Sequence, residues 1–316
     1  MVNAIESNLA MDHVRAASVP VRKRRIKSET LWGMLCVAPA VLGFLLFDVG
    51  PMVASFFLAL TDWSVAGQTH WLGLENFRTI FQDDALFRTA ARVTLTYAAV
   101  SVPLQIVVAF LLALLLNERI RGLPIFRTVF YLPATVPLVA SSVLWLWMFN
   151  PDFGLLNTIL GKVGLPPQDW FYSSDTVLPS LILMSLWGVG PMMIIFLAGL
   201  TAIPQHLYEA VSLDGGNVFN RLRSVTIPMI TPTIFFNLVL SVIGALQTFV
   251  QAYVITDGGP NNASLFYGLY LYRKAFELGD LGYAAALGVI QFAVIAALTA
   301  IVFSTSSRWV HYGGED

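Results

Sequence analysis

The residues of this chain best suited to chemistry are neutral ones. Ser241, Thr248 and Gln251 fall near one another on one helical face, Gln247 is adjacent, and Asn237 lies one turn before Ser241. Hydroxyl and amide side chains recognise neutral hydroxyls by pairing donors with acceptors, and aromatic faces such as Trp187 and Phe249 are their usual complement. The same residues also suit hydrogen bonding between membrane helices, worth about 0.6 to 2 kcal/mol per contact, and spacing does not separate the two readings. Side chains for bond-making chemistry form no constellation. His13, His70, His206 and His311 are scattered, and none pairs with a cysteine or acid at metal spacing. The single cysteine, Cys36, excludes a disulfide or thiol pair. Gly161-Lys162 resembles the end of a phosphate loop, yet Leu156 stands where the first glycine belongs and Val163 replaces Ser or Thr. No catalytic or metal-binding residues are assigned, and any nucleotide must be bound by another chain.

The elements that position these residues lie in lipid. Hydrophobic residues make up 57% of the 316 and charged residues 12%, against roughly 25% charged in a soluble domain; mean hydropathy is +0.71. Apolar runs of membrane-crossing length predict six spans near 31–60, 93–116, 125–149, 177–200, 230–255 and 283–304. The first follows a basic stretch as a secretory signal does, but it is too long for one and is read as retained. As a single helix it would be about 45 Å long, which predicts a tilt or a bend near Gly50-Pro51. Asp48, the one acid inside a span, stands beside that break and faces the outer interface or caps the bent backbone.

Basic residues orient the chain. Arg15, Arg22, Lys23, Arg24, Arg25, Lys27, Arg119, Arg121, Arg127, Arg221, Arg223 and Arg308 share one side, whereas Arg78, Arg88, Arg92, Lys162, Arg273 and Lys274 share the other. The richer side is cytoplasmic, so both termini are expected there. The expected organisation is a basic tail over 1–30, a six-span domain over 31–305 and a short tail over 306–316. A net charge of -1 argues against a nucleic-acid partner.

This topology puts the polar segment at 201–229 in the cytoplasm, and it is longer than a simple connection needs. Pro204 suits a first helical turn, with Leu207, Ala210, Val211 and Asp214 following at helical spacing. Gly215 and Gly216 stop the helix, Asn217 caps the next turn, and Pro228 marks entry into the fifth span. Periodicity alone also permits a plain amphipathic surface helix.

Here the residues carry a resemblance. Glu209, Ala210, Val211, Gly215, Ile227 and Pro228 resemble the cytoplasmic signature loop of permease subunits in binding-protein-dependent ABC importers, which begins Glu-Ala-Ala, places Gly after three further residues and ends in an Ile-x-Leu-Pro-like element. The chain departs at Val211 and in Thr226-Ile227-Pro228, keeping small or apolar character. Trp71 to Phe77 (WLGLENF), Phe126 to Pro133 (FRTVFYLP), Thr256 to Ser264 (TDGGPNNAS) and Leu271 to Leu287 are similar to the carbohydrate-uptake branch, so the likeness covers roughly residues 30 to 305.

The resemblance implies an all-α polytopic membrane protein of the type I importer permease fold, in a bacterial or archaeal cytoplasmic membrane. Its implied partners are a second homologous permease, two ATPase subunits that carry ATP and Mg, and an extracytoplasmic solute-binding protein; this chain itself would hold no cofactor. Glu209, Ala210, Val211, Asp214, Gly215, Arg221 and Pro228 would couple to an ATPase subunit. Similarity to maltose-type permeases would place Ser185, Trp187, Gly188, Ser241, Gln247, Thr248 and Gln251 along the substrate path, unless the partner permease alone holds the solute. Asp257, Gly258, Gly259 and Pro260 form a turn-rich outer segment that would serve docking or gating, or only re-entry of the chain. The implied cargo is a sugar or oligosaccharide, with glycerol-3-phosphate or a polyol as the alternative. A secondary transporter would more often show a mid-span charge and paired repeats, and neither is evident.

Overall fold

A computed structural model describes residues 28–64, 67, 69–118 and 121–311. The basic cluster from Arg15 to Lys27, His13, Arg119 and the end of the carboxyl tail lie outside the described residues. The chain divides into one unit through Val53 and a second from Ala54 onward. Among the described residues all regular structure is helical apart from isolated bridges at Thr61–Trp71 and Ser64–Asp280.

α1 (Ser28–Phe44) runs into a π turn over Leu45–Val49, which leads into α2 (Gly50–Leu58), the helix in which the first unit ends. The break expected at Gly50-Pro51 therefore falls five residues earlier, and Asp48 sits within it. Proline has no N–H and its ring crowds the carbonyl four residues back; a widened turn, closed by Gly50 N–H to the Leu45 carbonyl, relieves both problems.

The second unit continues with α3 (Glu75–Gln82), α4 (Ala85–Asn117), α5 (Leu123–Tyr131), α6 (Leu138–Met148), α7 (Leu155–Lys162), α8 (Val177–Ser185) and α9 (Gly190–Thr201). It is completed by α10 (Gln205–Leu213), α11 (Val218–Arg221), α12 (Ile227–Met229), α13 (Thr231–Leu246), α14 (Val250–Ile255), α15 (Tyr267–Tyr272) and α16 (Leu281–Ser306). Four helical runs, Trp32–Leu58, Ala85–Asn117, Thr231–Ile255 and Leu281–Ser306, are long and apolar enough to cross a membrane. The spans expected at 125–149 and 177–200 are instead bent pairs, turning by 101° between Leu123–Thr135 and Leu138–Met148 and by 49° between Val177–Gly188 and Gly190–Thr201. The cause is local: Pro133 and Pro137 flank the first break and Pro191 follows the second, and the residue before a proline is pushed out of helical geometry, as Val136 is with ψ 127°.

α4 begins eight residues before the expected start because Asp84 caps it, accepting from the Phe87 amide at 2.9 Å. At 33 residues it is about 50 Å long, so its ends project from a bilayer core of roughly 30 Å and Arg88 and Arg92 need not be buried in lipid. It packs along α9 and α13. Small side chains recur along α4, with Ala90, Ser101, Ala109 and Ala113 all fully buried, and Ala109 and Ala113 pack in one cluster with Met193, Phe196 and Leu197 of α9. Lipid tails are as apolar as leucine, so close approach of backbones, more than burial from water, holds such helices together.

The start of α4, α15 and the start of α16 meet at Asp84. Its carboxylate accepts hydrogen bonds from the hydroxyls of Tyr270 and Tyr283, tying the start of α4 to α15 and α16. Lys274 lies over the Tyr283 ring at 4.5 Å. Burial pushes the Asp84 carboxyl up, but hydrogen bonds from Tyr270, Tyr283 and the Phe87 amide, with the charge of Lys274, outweigh it and hold the carboxyl below its usual value. Because the folded value is depressed, the stabilisation is fully present above the ordinary carboxylate range and is lost as pH falls through the folded value. Asp84→Asn is expected to cost about 1–2 kcal/mol at neutral pH, the carboxylate being partly open to water. Thermal unfolding in detergent at pH 7 and at strongly acid pH checks this: the gap between variant and wild type should close in acid, and an equal gap at both would show that charge is not what holds the junction.

Candidate functional site

The helix breaks surround a cavity of about 650 Å3, within the range of small-molecule sites. Pro133, Ala134 and Val136 come from the first break, Trp187, Gly188 and Val189 from the second, and Thr248 from a third, where the fifth span is interrupted between Leu246 and Val250. In hydrocarbon, irregular backbone is tolerated where it is buried in protein or lines a cavity, and both solutions are used here. The Leu246 carbonyl freed by the third break accepts from the Gln291 side chain at 2.9 Å. A Cβ at Gly190 would lie 2.5 Å from the Phe130 carbonyl, so the two bent pairs touch backbone to backbone at the rim.

The lining carries no charged side chain among the described residues. Two of its hydroxyls turn their protons to the backbone: Ser241 donates to the Asn237 carbonyl at 2.7 Å and Ser185 to the Ile182 carbonyl at 2.6 Å, leaving oxygen lone pairs available. Donors come from amides. Asn237 is 2% exposed, lines the cavity, and its Nδ2 has no hydrogen-bond partner among the described residues. Gln105 and Gln251 add two more amides, and the Tyr97 hydroxyl sits beside Ser101, Ser185 and Thr248. Trp187 stands edge-on to Trp145 with centroids 5.9 Å apart, and Phe266 edge-on to Tyr97 at 5.0 Å. The arrangement can hold a neutral hydroxylated molecule between aromatic faces, offering both acceptors and donors.

Of the residues expected along the path, Ser185, Trp187, Gly188, Ser241, Thr248 and Gln251 line the cavity. Gln247 does not; it is exposed, because the interruption at 247–249 ends the helical face on which spacing placed it beside Thr248. Phe249 is also turned away, stacking on Tyr253 at 5.5 Å. Sequence reasoning missed Tyr97, Gln105, Ser141 and Phe266, and noted Asn237 without assigning it to the path. Prolines 133, 137 and 191 were the available signal, since each marks a break that opens space beside it.

At the other end, α10 starts immediately after Pro204 and ends at Asp214. Leu207, Tyr208 and Val211 pack against a cluster containing Leu200, Ile203 and Val225, and the Tyr208 hydroxyl meets Thr226 Oγ1 at 3.2 Å. Glu209, Ala210, Asp214 and Gly215 face outward, and Leu213, Val218 and Phe219 are largely exposed apolar side chains. Gly215 has φ +77°, and among the described residues nothing lies within 4 Å of an added Cβ, so glycine there answers to the backbone angle and not to crowding. Asn217 caps α11, accepting from the Asn220 amide at 2.9 Å. Arg221 and Pro228 are half-buried, and a π turn over Leu222–Thr226 precedes Pro228, closed by Ile227 N–H to the Leu222 carbonyl. Arg127, which spacing had used only as a topology marker, donates to the Leu116 carbonyl at 3.1 Å and closes the last turn of α4.

The outer segment at 257–260 is tightly built. Arg273 pairs with Asp257 at 2.9 Å and Ser264 donates to the Gly259 carbonyl at 2.6 Å. Asp257 is exposed, Gly259 and Pro260 are half-buried, and Gly258 is buried, with Leu265 and Leu269 within 3.4 Å of where a Cβ would stand.

Residues 105–312 match the family described as "Binding-protein-dependent transport system inner membrane component". The chain is 40% identical over 299 residues to the probable ABC transporter permease protein YesP of Bacillus subtilis (strain 168), covering 93% of this chain and 96% of that one. It is 32% identical over 275 residues to the trehalose/maltose transport system permease protein MalF of Thermococcus litoralis, covering 86% and 92%. Its fold is similar, with a TM-score of 0.78 at 25% identity and coverage of 89% and 96%, to a chain in the crystal structure of a bacterial ABC transporter involved in the import of the acidic polysaccharide alginate.

The unpaired amide of Asn237 is testable without a cargo. Replacing it by Leu, of similar volume, removes an unsatisfied buried donor and should leave thermal stability in detergent unchanged or raise it by about 1 kcal/mol. A loss of 2 kcal/mol or more, on the order of a broken buried hydrogen bond, would show that the amide supports the helix packing instead.

Proposed function

Because this chain belongs to the binding-protein-dependent transport system inner membrane components, a family of importer permease subunits, we propose that it forms, with a second permease, the path for a neutral sugar or oligosaccharide across the cytoplasmic membrane. The observation that carries the cargo class is the cavity lining, in which amides, hydroxyls and aromatic rings converge without a cation. An acidic solute or glycerol-3-phosphate would need positive charge that this lining does not offer. Trehalose/maltose transport by one relative supports the same class.

ATP is bound and hydrolysed by two partner subunits. α10 docks on one of them through its outward face, with Glu209 and Asp214 available to basic groups and Leu213, Val218 and Phe219 available for burial. α10 is pinned inward by Leu207, Val211 and the Tyr208–Thr226 contact. Closure of the ATPase pair therefore moves α9 and α13 as rigid bodies, and these helices carry Met192, Ile195, Asn237 and Ser241 of the cavity wall. An extracytoplasmic binding protein delivers the solute to the face where Asp257 is exposed. On this reading both termini lie in the cytoplasm.

Two measurements test the scheme. Gly215→Asp, or replacement of Glu209 together with Asp214, should abolish solute-stimulated ATP hydrolysis and uptake in reconstituted vesicles while membrane insertion persists; normal uptake would remove the coupling assignment. Asn237→Leu combined with Ser241→Ala should weaken uptake by about tenfold, the effect of one or two lost hydrogen bonds, with the complex intact and basal ATP hydrolysis unchanged. Uptake at the wild-type rate would move the solute site to the partner permease.

A further inference from the structure

α7 lies between the third and fourth spans and presents a surface that neither the cavity nor the coupling loop uses. Leu155, Ile159 and Val163 recur every four residues along it and are 54%, 47% and 65% exposed, with Phe153 and Leu165 beside them at 70% and 53%. Such spacing is one helical stripe. The stripe is held rigidly. Asn157 donates to the carbonyls of Pro151 and Gln168 and accepts from the Gln168 amide and the Trp170 indole, all between 2.8 and 3.1 Å.

The position of α7 relative to α6 is fixed as well. Gly154 makes a turn so tight that a Cβ there would lie 2.3 Å from the Asn150 carbonyl and 2.7 Å from the Met148 carbonyl. The stripe therefore begins at the end of α6, where Trp147 is 68% exposed and continues the outward apolar side formed by Val143 and Leu144. That side belongs to a bent pair that together is long and apolar enough for one span, for which lipid is the natural surrounding. Lys162 stands at the last turn of α7, where its aliphatic stem can follow the stripe and its ammonium can reach a headgroup phosphate.

We propose that α7 is an interfacial anchor, lying in the headgroup layer with Leu155, Ile159 and Val163 against acyl chains and Lys162 at lipid phosphate, and that it fixes the depth of the third span and the cavity behind it. The occupant of this surface is the bilayer, because the stripe is continuous with a lipid-facing helix and its inner face is already satisfied by its own loop. Amphipathic helices hold to membranes by this combination of buried apolar area and charge at the phosphates.

The test uses the complete importer in liposomes, with cysteine-free partner subunits and Cys36→Ser, so that Ile159→Cys supplies one labelling site for an environment-sensitive NBD probe. Phosphatidylcholine carrying a shallow nitroxide should quench the probe about twofold, and aqueous iodide should leave it unaffected. A probe at Asp169→Cys, on the exposed end of the same loop, should show the reverse. Quenching of Ile159 by iodide and not by the nitroxide lipid would overturn the proposal. So would insensitivity to both, which would put the stripe against a partner subunit, and so would shielding that appears only when the solute-binding protein is added.

Discussion

In hydrocarbon no water is present to satisfy a backbone amide or carbonyl, so a broken helix must be repaired by protein or must face a cavity. The rest of this molecule follows from that constraint. Breaks at 132–137, 186–190 and 247–249 converge on one cavity, and Gln291 completes the Leu246 carbonyl at the third. The polar lining and the irregular backbone are two aspects of one arrangement, since the breaks that open the space also expose main-chain groups within it.

Prolines act at the membrane helices in a second way. Before Pro51 and before Pro228 the chain adopts a π turn, closed by the residue that precedes the proline. The ladder continues across both sites, and the cost of the missing N–H is spread over a widened turn. At Pro228 this keeps the segment at 201–229 mechanically continuous with α13. Thr226, in the widened turn, is the residue that Tyr208 of α10 reaches.

Much of this was legible in the sequence. Apolar run length located the four helices long enough to cross a membrane and the two bent pairs, because hydropathy depends on composition more than on geometry. The Gly215 terminator and the Asn217 cap were readable because each depends on a local backbone demand that few residues meet. The cavity was legible only in part. Ser185, Trp187 and Thr248 line it, whereas Gln247 and Phe249 do not, since helical spacing was extended across an interruption that has no proline within it. Tyr97, Gln105 and Ser141 gave no separate signal; on a straight helix a buried hydroxyl or amide reads equally as a contact between helices, and only the bend of the neighbouring span decides otherwise. The Asp84 junction depends on partners 186 and 199 residues away, beyond any periodicity.

Two of the three main-chain breaks that wall the cavity stand beside prolines at 133, 137 and 191, whereas its chemistry rests on a few side chains such as Asn237, Ser241 and Gln105. Dimensions and hydrogen-bonding character are therefore encoded separately. Hydroxyls and amides can be exchanged while the vessel keeps its shape, or a proline moved to resize the vessel while its hydrogen-bonding groups persist.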